Sequence, residues 1–104
     1  MAWKIMWTES AWIDLENIAR YIAEDSPYYA ASFVREIKEA ARSLEHFAER
    51  GRIVPEVNNP YFRELFIGNY RLIYQITKEI VYILTFIHGM RNLNKKSLSH
   101  DQRN

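Results

Sequence analysis

Cysteine is absent from the 104-residue sequence, which excludes disulfides, thiolate zinc sites and thiol nucleophiles. Glycine is also scarce, with three residues, and no glycine-rich loop that could cradle a phosphate is present. The histidines, His46, His88 and His100, are far apart and show no ligand spacing with carboxylates. We therefore expect no metal site and no cofactor, in a chain compatible with a reducing compartment.

Long apolar runs are missing as well. No stretch approaches the roughly 18 uninterrupted apolar residues that a membrane span requires. The first seven residues carry Lys4 and contain no continuous apolar segment of the kind found in signal peptides. We therefore expect neither export nor contact with a membrane, and a cytoplasmic location.

Apolar residues are abundant by contrast, at 48% of the chain with 14% aromatic residues, which is enough to form a hydrophobic core. A chain of this length fits one domain. We place this domain at residues 1–91 and expect a polar C-terminal tail at residues 92–104.

Charge is divided unevenly along the chain. Residues 1–49 contain five Lys or Arg against nine Asp or Glu, a net charge of −4, whereas residues 50–96 contain eight against three, a net charge of +5. This asymmetry predicts a basic face in the second half, which would attract polyanions or acidic partners. The alternative is that these charges are simply solvated.

The first half of the sequence predicts one strand and two helices. Trp3, Ile5 and Trp7 alternate with more polar positions, as in a strand with one buried face. Thr8 can cap a helix that runs to about residue 24, and Ser26 can cap a second helix with proline at its first position. The short connection predicts a helical hairpin.

The second helix is predicted to end before Gly51, a candidate left-handed C-cap. Its buried stripe consists of Phe33, Ile37, Ala41, Leu44 and Ala48. Residues 52–60 contain two prolines and two asparagines and are predicted to form an ordered loop. Its length makes this loop a candidate functional element.

Three strands follow the loop, at residues 61–67, 70–76 and 80–88. The first two are joined by a Gly68-Asn69 turn, because glycine accepts a positive φ. The order β-α-α-β-β-β predicts an α+β fold in which the helical hairpin packs on a mostly antiparallel four-stranded sheet.

The predicted turn also sets the strand register. Directly paired residues share a face, so one face carries an apolar set that would bury against the helices. This set comprises Leu65, Ile67, Tyr70, Leu72, Tyr74 and Ile76. Glu64 and Arg71 fall on the other face, where we expect Arg71 to be available to a ligand.

Several charged residues are predicted to lie near Arg71. His88 ends the last strand, beside the start of the strand that carries Arg71, and Arg91 follows it. The candidate loop and the strand after it supply Arg52, Glu56 and Arg63. RNA cleavage by attack of a 2′-OH needs a base, an acid and cations that stabilise the phosphorane, so this set is suited to such chemistry without a metal.

Each of the three central residues also has a structural interpretation. His88 could be a strand-end histidine satisfied by a backbone carbonyl. Arg71 could form an ion pair with Glu64, its diagonal neighbour across the strands. Glu56 could be a turn residue or a salt-bridge partner.

Four segments of the sequence resemble the RelE/ParE toxin superfamily. They are residues 51–56 (GRIVPE), 62–65 (FREL), 68–74 (GNYRLIY) and 87–91 (IHGMR). The resemblance covers residues 3–91 and agrees with the predicted order of elements. It implies a plasmid-stabilisation type of toxin, neutralised by an antitoxin whose acidic C-terminal segment wraps it by strand addition or helix docking.

The resemblance implies one of two targets, DNA gyrase or messenger RNA on the ribosome. Our preferred hypothesis is gyrase poisoning, as in ParE, and the alternative is a metal-independent ribonuclease, as in RelE and YoeB. For the ribonuclease, the resemblance implies Glu56 as the base, His88 as the acid and Arg71 as the phosphate clamp, helped by Arg63 and Arg91. A third hypothesis is a non-toxic interaction module of the same fold.

Overall fold

A computed structural model describes residues 2–93 of the chain. Its elements are β1 (Lys4–Trp7), α1 (Glu9–Asp25), α2 (Pro27–Ser43), β2 (Arg52–Ile53), β3 (Phe62–Ile67), β4 (Tyr70–Ile76) and β5 (Ile80–His88). Two helices pack on one mixed sheet, so the predicted α+β class is confirmed. No helix in the described part of the chain is long and apolar enough to span a bilayer.

Within residues 2–93 the sheet has five strands in the order β1-β5-β4-β3-β2, so the predicted count of four is wrong. The additional strand, β2, lies in the segment predicted to be a loop and pairs with β3 through Arg52 opposite Glu64 and Ile53 opposite Arg63. Two paired residues leave no periodic pattern in a sequence, which is why this strand was missed. β1 is parallel to β5 and the other pairs are antiparallel.

Both helices begin where their capping residues predict. Thr8 Oγ1 accepts a hydrogen bond from Ala11 N, and Ser26 Oγ accepts one from Tyr29 N, each at 3.1 Å. Thr8 Oγ1 also donates to Ile83 O at 3.0 Å. The cap of α1 is therefore attached to β5, which fixes the helix relative to the sheet.

The end of α2 differs from the prediction. The helix stops at Ser43, and Gly51 lies beyond it without a positive φ, so its predicted role as a left-handed cap is wrong. A Cβ atom at Gly51 would lie 2.6 Å from both Glu64 O and Tyr74 Oη. Glycine is required at this position because there is no space for a side chain.

The hairpin between β3 and β4 has the predicted register. Gly68 has a φ of 58°, and Phe66 pairs with Arg71 as expected. The predicted apolar face packs against the helices as the inner cluster, although Tyr70 is only partly buried. The sheet contributes Leu65, Ile67, Leu72, Tyr74, Ile76, Val81, Ile83 and Phe86 to it, and the helices contribute Ala11, Leu15, Ile37 and Ala41.

The opposite face of the sheet is also covered. A second hydrophobic group, here called the outer cluster, consists of Val54, Ile73, Leu84 and Leu93. Val54 follows β2 and Leu93 follows β5, so neither residue lies in a strand. Leu93 belongs to the region predicted as a polar tail. The remaining tail, residues 94–104, lies outside the described residues.

Candidate functional site

A chain of ion pairs crosses three adjacent strands on the outer-cluster face. Glu64 on β3 is 1% exposed and accepts hydrogen bonds from Arg52 Nε at 2.5 Å and from Arg71 Nε at 2.7 Å. Arg52 lies directly opposite Glu64 in the register, whereas Arg71 is its diagonal neighbour. The ion pair between Arg71 and Glu64, proposed as the structural interpretation of Arg71, is confirmed.

Arg71 uses its remaining donors on two further groups. Its Nη1 and Nη2 atoms donate to both carboxylate oxygens of Glu56, at 3.0 and 2.8 Å, and Nη1 also donates to Arg91 O at 3.1 Å. The hydrogen bonds that Arg71 donates to Glu56 and Glu64 raise the pKa of Arg71 above its usual value. All three guanidinium nitrogens are bonded within the protein.

Arg71 is 3% exposed, so the prediction that it would be available to a ligand is wrong. Strand alternation correctly placed it away from the helices. It is nevertheless covered, because the outer cluster packs over this face with residues from a loop and from the segment after β5. Alternation identifies the two faces of a sheet but not what covers the second one.

Glu56 is held by two groups of the protein. In addition to the hydrogen bonds from Arg71, the Glu56 carboxylate accepts one from Leu93 N at 3.1 Å. The hydrogen bonds from Arg71 lower the pKa of Glu56 from 4.5 to about 2, against a smaller opposing effect of burial. Glu56 is therefore a carboxylate with little affinity for a proton near neutral pH.

His88 lies on the other face of the sheet. It pairs with Tyr70, whereas its neighbour Ile87 pairs with Arg71, and successive residues of a strand point to opposite faces. The imidazole contacts the Tyr70 ring edge to face at 5.5 Å, and its Nδ1 atom accepts a hydrogen bond from Met90 N at 3.2 Å. The structure thus brings Glu56 and Arg71 together and keeps His88 apart from them.

The three other predicted arginines differ in their surroundings. Arg63 donates to the carbonyl oxygens of Pro60, Gly51 and Glu49, at 2.9, 3.0 and 3.3 Å, so it holds the chain around β2 together. The guanidinium of Arg52 also lies 5.1 Å from the centre of the half-exposed Phe66 ring. Among these arginines, Arg52 and Arg91 have exposed side chains.

The chain of ion pairs around Arg71 is electrically balanced. Arg52 and Arg71 supply two positive charges, and Glu56 and Glu64 supply two negative charges that contact them. Charges this close largely cancel at longer range. The excess of cations in the second half of the sequence therefore does not concentrate at Arg71.

A cavity of about 470 Å³ lies on the side of His88, between α1 and the ends of β4 and β5. The polar residues that line it are Ser10, Asp14, Tyr70, Thr85, His88, Arg91 and Asn92. Asp14 accepts hydrogen bonds from Thr85 Oγ1 at 2.5 Å and from Phe86 N at 3.3 Å. The pairing of β1 with β5 ends at Ile83, so Asp14 satisfies a backbone amide of β5 that β1 does not reach. Sequence reasoning missed Asp14, because its partners are more than 70 positions away.

The sequence matches the family model described as ParE toxin of type II toxin-antitoxin system, parDE, over residues 5–93. It is also similar to a protein named Toxin RelE2 from Caulobacter vibrioides, with 33% identity over 89 residues that cover 85% of this chain and 97% of the relative.

Two solved structures share the fold. A chain of the chromosomal ParDE system from P. aeruginosa matches with a TM-score of 0.68 and 23% identity, covering 84% of this chain and 96% of its own length. A chain of the toxin–antitoxin complex RelBE2 from Mycobacterium tuberculosis matches with a TM-score of 0.59 and 22% identity, covering 85% and 99%. At sequence identities of 23% and 22%, the similarity to these two structures shows a shared fold alone.

Proposed function

Because the chain belongs to the family of ParE toxins of type II toxin–antitoxin systems, we propose that it arrests growth by poisoning DNA gyrase. We further propose that an antitoxin with an acidic C-terminal segment neutralises it. The exposed arginines Arg52 and Arg91 would contact this segment, and Arg63 would act only by holding the chain around β2.

The separation of His88 from Glu56 and Arg71 is the observation that carries this proposal. A metal-independent ribonuclease needs its base, acid and cation around one phosphate, within hydrogen-bonding distance of the reacting oxygens. Here Glu56 and Arg71 bind each other on one face of the sheet, and His88 lies on the other. This arrangement supports a toxin that acts by binding rather than by cleaving RNA.

The acidity of Glu56 supports the same proposal. A general base works best when its pKa lies near the working pH. The pKa of Glu56 is about 2, because Arg71 stabilises its charged form. Such a carboxylate would remove a proton from a 2′-OH poorly, unless its contact with Arg71 were first broken.

The ribosome-dependent ribonuclease remains the second candidate, because the relative with 33% identity carries the name Toxin RelE2. The two candidates predict different damage in the cell. A ribonuclease leaves cut transcripts, whereas a gyrase poison leaves double-strand breaks in the chromosome and intact transcripts.

The test is induction of the chain in a bacterial host without antitoxin, for the wild type, His88→Ala and the control Lys78→Gln. Lys78 is exposed in the turn between β4 and β5, far from His88. We expect all three to arrest growth with chromosomal breaks and intact transcripts, and purified toxin to trap linear plasmid DNA with gyrase. Cut transcripts that disappear in His88→Ala would establish the ribonuclease instead. Normal growth with all three variants would contradict both toxin hypotheses and support the non-toxic interaction module.

A further inference from the structure

An apolar patch is exposed on the surface of the helical hairpin. Trp12 and Ile13 of α1 are each 47% exposed. The ring of Trp12 stacks on that of Trp7, with ring centres 4.3 Å apart, so it is held in one position. Beside it, a cavity of about 490 Å³ lies between the two helices. Its apolar lining consists of Trp12, Ile13, Leu15, Ala19 and Val34.

A second cavity, of about 240 Å³, continues this surface towards β1. Trp12 and Lys38 line both cavities, so the two form one groove. We call it the Trp12 groove, with Trp12 and Ile13 on its α1 side and Val34 and Lys38 on its α2 side. A fixed aromatic side chain thus stands next to a hollow of a size that could receive another one.

The two rims of the Trp12 groove carry opposite charges. Glu9 and Glu16 lie on α1, two helical turns apart and therefore on the same side of the helix. Lys38 and Arg42 lie one turn apart on α2. All four side chains are exposed, and within residues 2–93 none of them forms an ion pair. The groove therefore has an acidic α1 rim, a basic α2 rim and an apolar centre.

The acidic and basic residues also lie at matching levels. In an antiparallel hairpin, residues at equal distances from the turn are beside each other. Glu16 and Lys38 are similarly distant from the turn at Ser26. The same holds for Glu9 and Arg42. A twofold axis parallel to the groove would therefore place the acidic rim of one copy against the basic rim of a second copy, and the reverse contact would follow by symmetry.

We propose that the Trp12 groove is the interface of a homodimer, in which Trp12 of each copy enters the groove of the other. An apolar centre with an aromatic anchor and a charged rim is typical of specific interfaces. A second copy fits better than an acidic segment, because such a segment would meet Glu9 and Glu16 as well as the cations. The inference concerns the assembly of the chain itself and does not depend on the gyrase proposal.

The first measurement is sedimentation equilibrium of the purified full chain, from about 1 to 100 µM. We expect a dimer at the upper concentration. Trp12→Ser should raise the Kd of the dimer by at least about 30-fold, as at a central aromatic anchor. Tyr21→Ser is the matched control, since Tyr21 is 69% exposed on the same helix and lines neither cavity. A wild type that is monomeric at about 100 µM would overturn the proposal and leave the groove to the antitoxin or another partner.

The second measurement exchanges charges across the proposed twofold axis. Glu16→Lys would place a lysine against Lys38 of the partner subunit at both symmetric contacts, and Lys38→Glu would place two glutamates together there. We expect each change to raise the Kd by about tenfold or more, because like charges repel. Glu36→Lys, at an exposed position of α2 outside the groove, should dimerise like the wild type.

Mixing the two charge variants tests the symmetry itself. At a concentration where Glu16→Lys and Lys38→Glu are each monomeric, their equimolar mixture should form dimers, because both contacts then join opposite charges. Circular dichroism and a cooperative thermal transition show that the variants are folded. Failure of the folded mixture to dimerise would contradict the proposal, as would a dimer that no groove variant weakens. If Trp12→Ser loses its fold with the Trp7 stack, the charge variants decide the question.

Discussion

Glu56 owes its low pKa to Arg71, and this makes it a source of pH-dependent stability. The pKa is about 2 in the folded chain and 4.5 when unperturbed. The folded state therefore favours the carboxylate, and its contribution is fully present above pH 4.5. It is lost as the pH falls from 4.5 towards 2, where the unfolded state takes up the proton first.

We expect Glu56→Gln to remove this dependence. Between pH 6 and pH 2, the free energy of unfolding of the wild type should fall by about 2 to 3 kcal/mol more than that of the variant. Denaturant unfolding at several pH values measures the difference. Glu79→Gln, at an exposed position, should behave like the wild type. Parallel pH profiles for the wild type and Glu56→Gln would show that the pair does not act in this way.

Arg71 is a structural residue whatever else it does. It contacts both Glu56 and Glu64, and without it Arg52 is the one remaining cation of the ion-pair chain, so one carboxylate charge is left uncompensated. We expect Arg71→Ala to lower the free energy of unfolding by about 3 to 5 kcal/mol. Lost toxicity in this variant would therefore say nothing about catalysis.

The double variant Glu64→Gln with Arg71→Met provides the control, because it removes the two buried charges and keeps most of the side-chain volume. The charge that loses its partner is then that of Glu56, whose side chain is 24% exposed and can be solvated. It should recover a large part of the lost stability, as measured by denaturant unfolding. A double variant no more stable than Arg71→Ala would mean that packing, not the unpaired charge, accounts for the loss.

The connections between elements depend on two glycines for different reasons. Gly51 leaves space for Glu64 O and Tyr74 Oη, and its amide donates to Tyr74 Oη at 3.0 Å. Tyr74 Oη in turn donates to Ala48 O, so this contact ties the chain before β2 to β4. Gly68 has open space around it but a φ of 58°.

Alanine at these two positions should therefore have different costs. Gly51→Ala forces backbone and Tyr74 apart, and we expect a loss of about 2 to 4 kcal/mol in the free energy of unfolding. Gly68→Ala carries only the left-handed backbone penalty of about 1 kcal/mol, and Gly68→Asn should cost less, since asparagine tolerates this conformation. Equal losses for both alanine variants in thermal or denaturant unfolding would contradict the steric explanation.

Elements with a strong local pattern could be predicted from the sequence, and those made by distant contacts could not. Thr8 and Ser26 predict where the two helices begin. The turn at Gly68 predicts the strand register, which places Arg71 on the face away from the helices. The strand β2 was not predicted because two residues show no periodicity, and the burial of Arg71 was not predicted because it depends on residues that pack from outside the strands. Leu93 is the clearest case, since one apolar residue in a polar segment carries no periodicity.

At the scale of the whole molecule, as far as residues 2–93 describe it, the charge asymmetry of the sequence is only partly expressed on the surface. The cations of the ion-pair chain are matched by Glu56 and Glu64, whereas Arg91 is exposed and lines the cavity next to His88. Exposed charges act chiefly on the rate of association with a charged partner. Arg91 should therefore affect how fast an acidic antitoxin binds.

We expect Arg91→Gln to slow association with the antitoxin by about threefold at low ionic strength, and the difference to vanish at about 1 M salt, where screening is nearly complete. Lys78→Gln removes the same charge at a different end of the sheet and should leave the rate nearly unchanged. Stopped-flow mixing measures both rates. A larger effect of Lys78→Gln would place the acidic segment elsewhere on the toxin.

The parallel pairing of the first strand with the last has a consequence for biosynthesis. Lys4 lies opposite Ile80 and Trp7 opposite Ile83, so β1 has no neighbour in the sheet until β5 has left the ribosome. The helical hairpin emerges much earlier, yet the surface it needs to bury against is made last. A nascent chain therefore cannot acquire its finished shape until residues 80–88 have emerged from the ribosome.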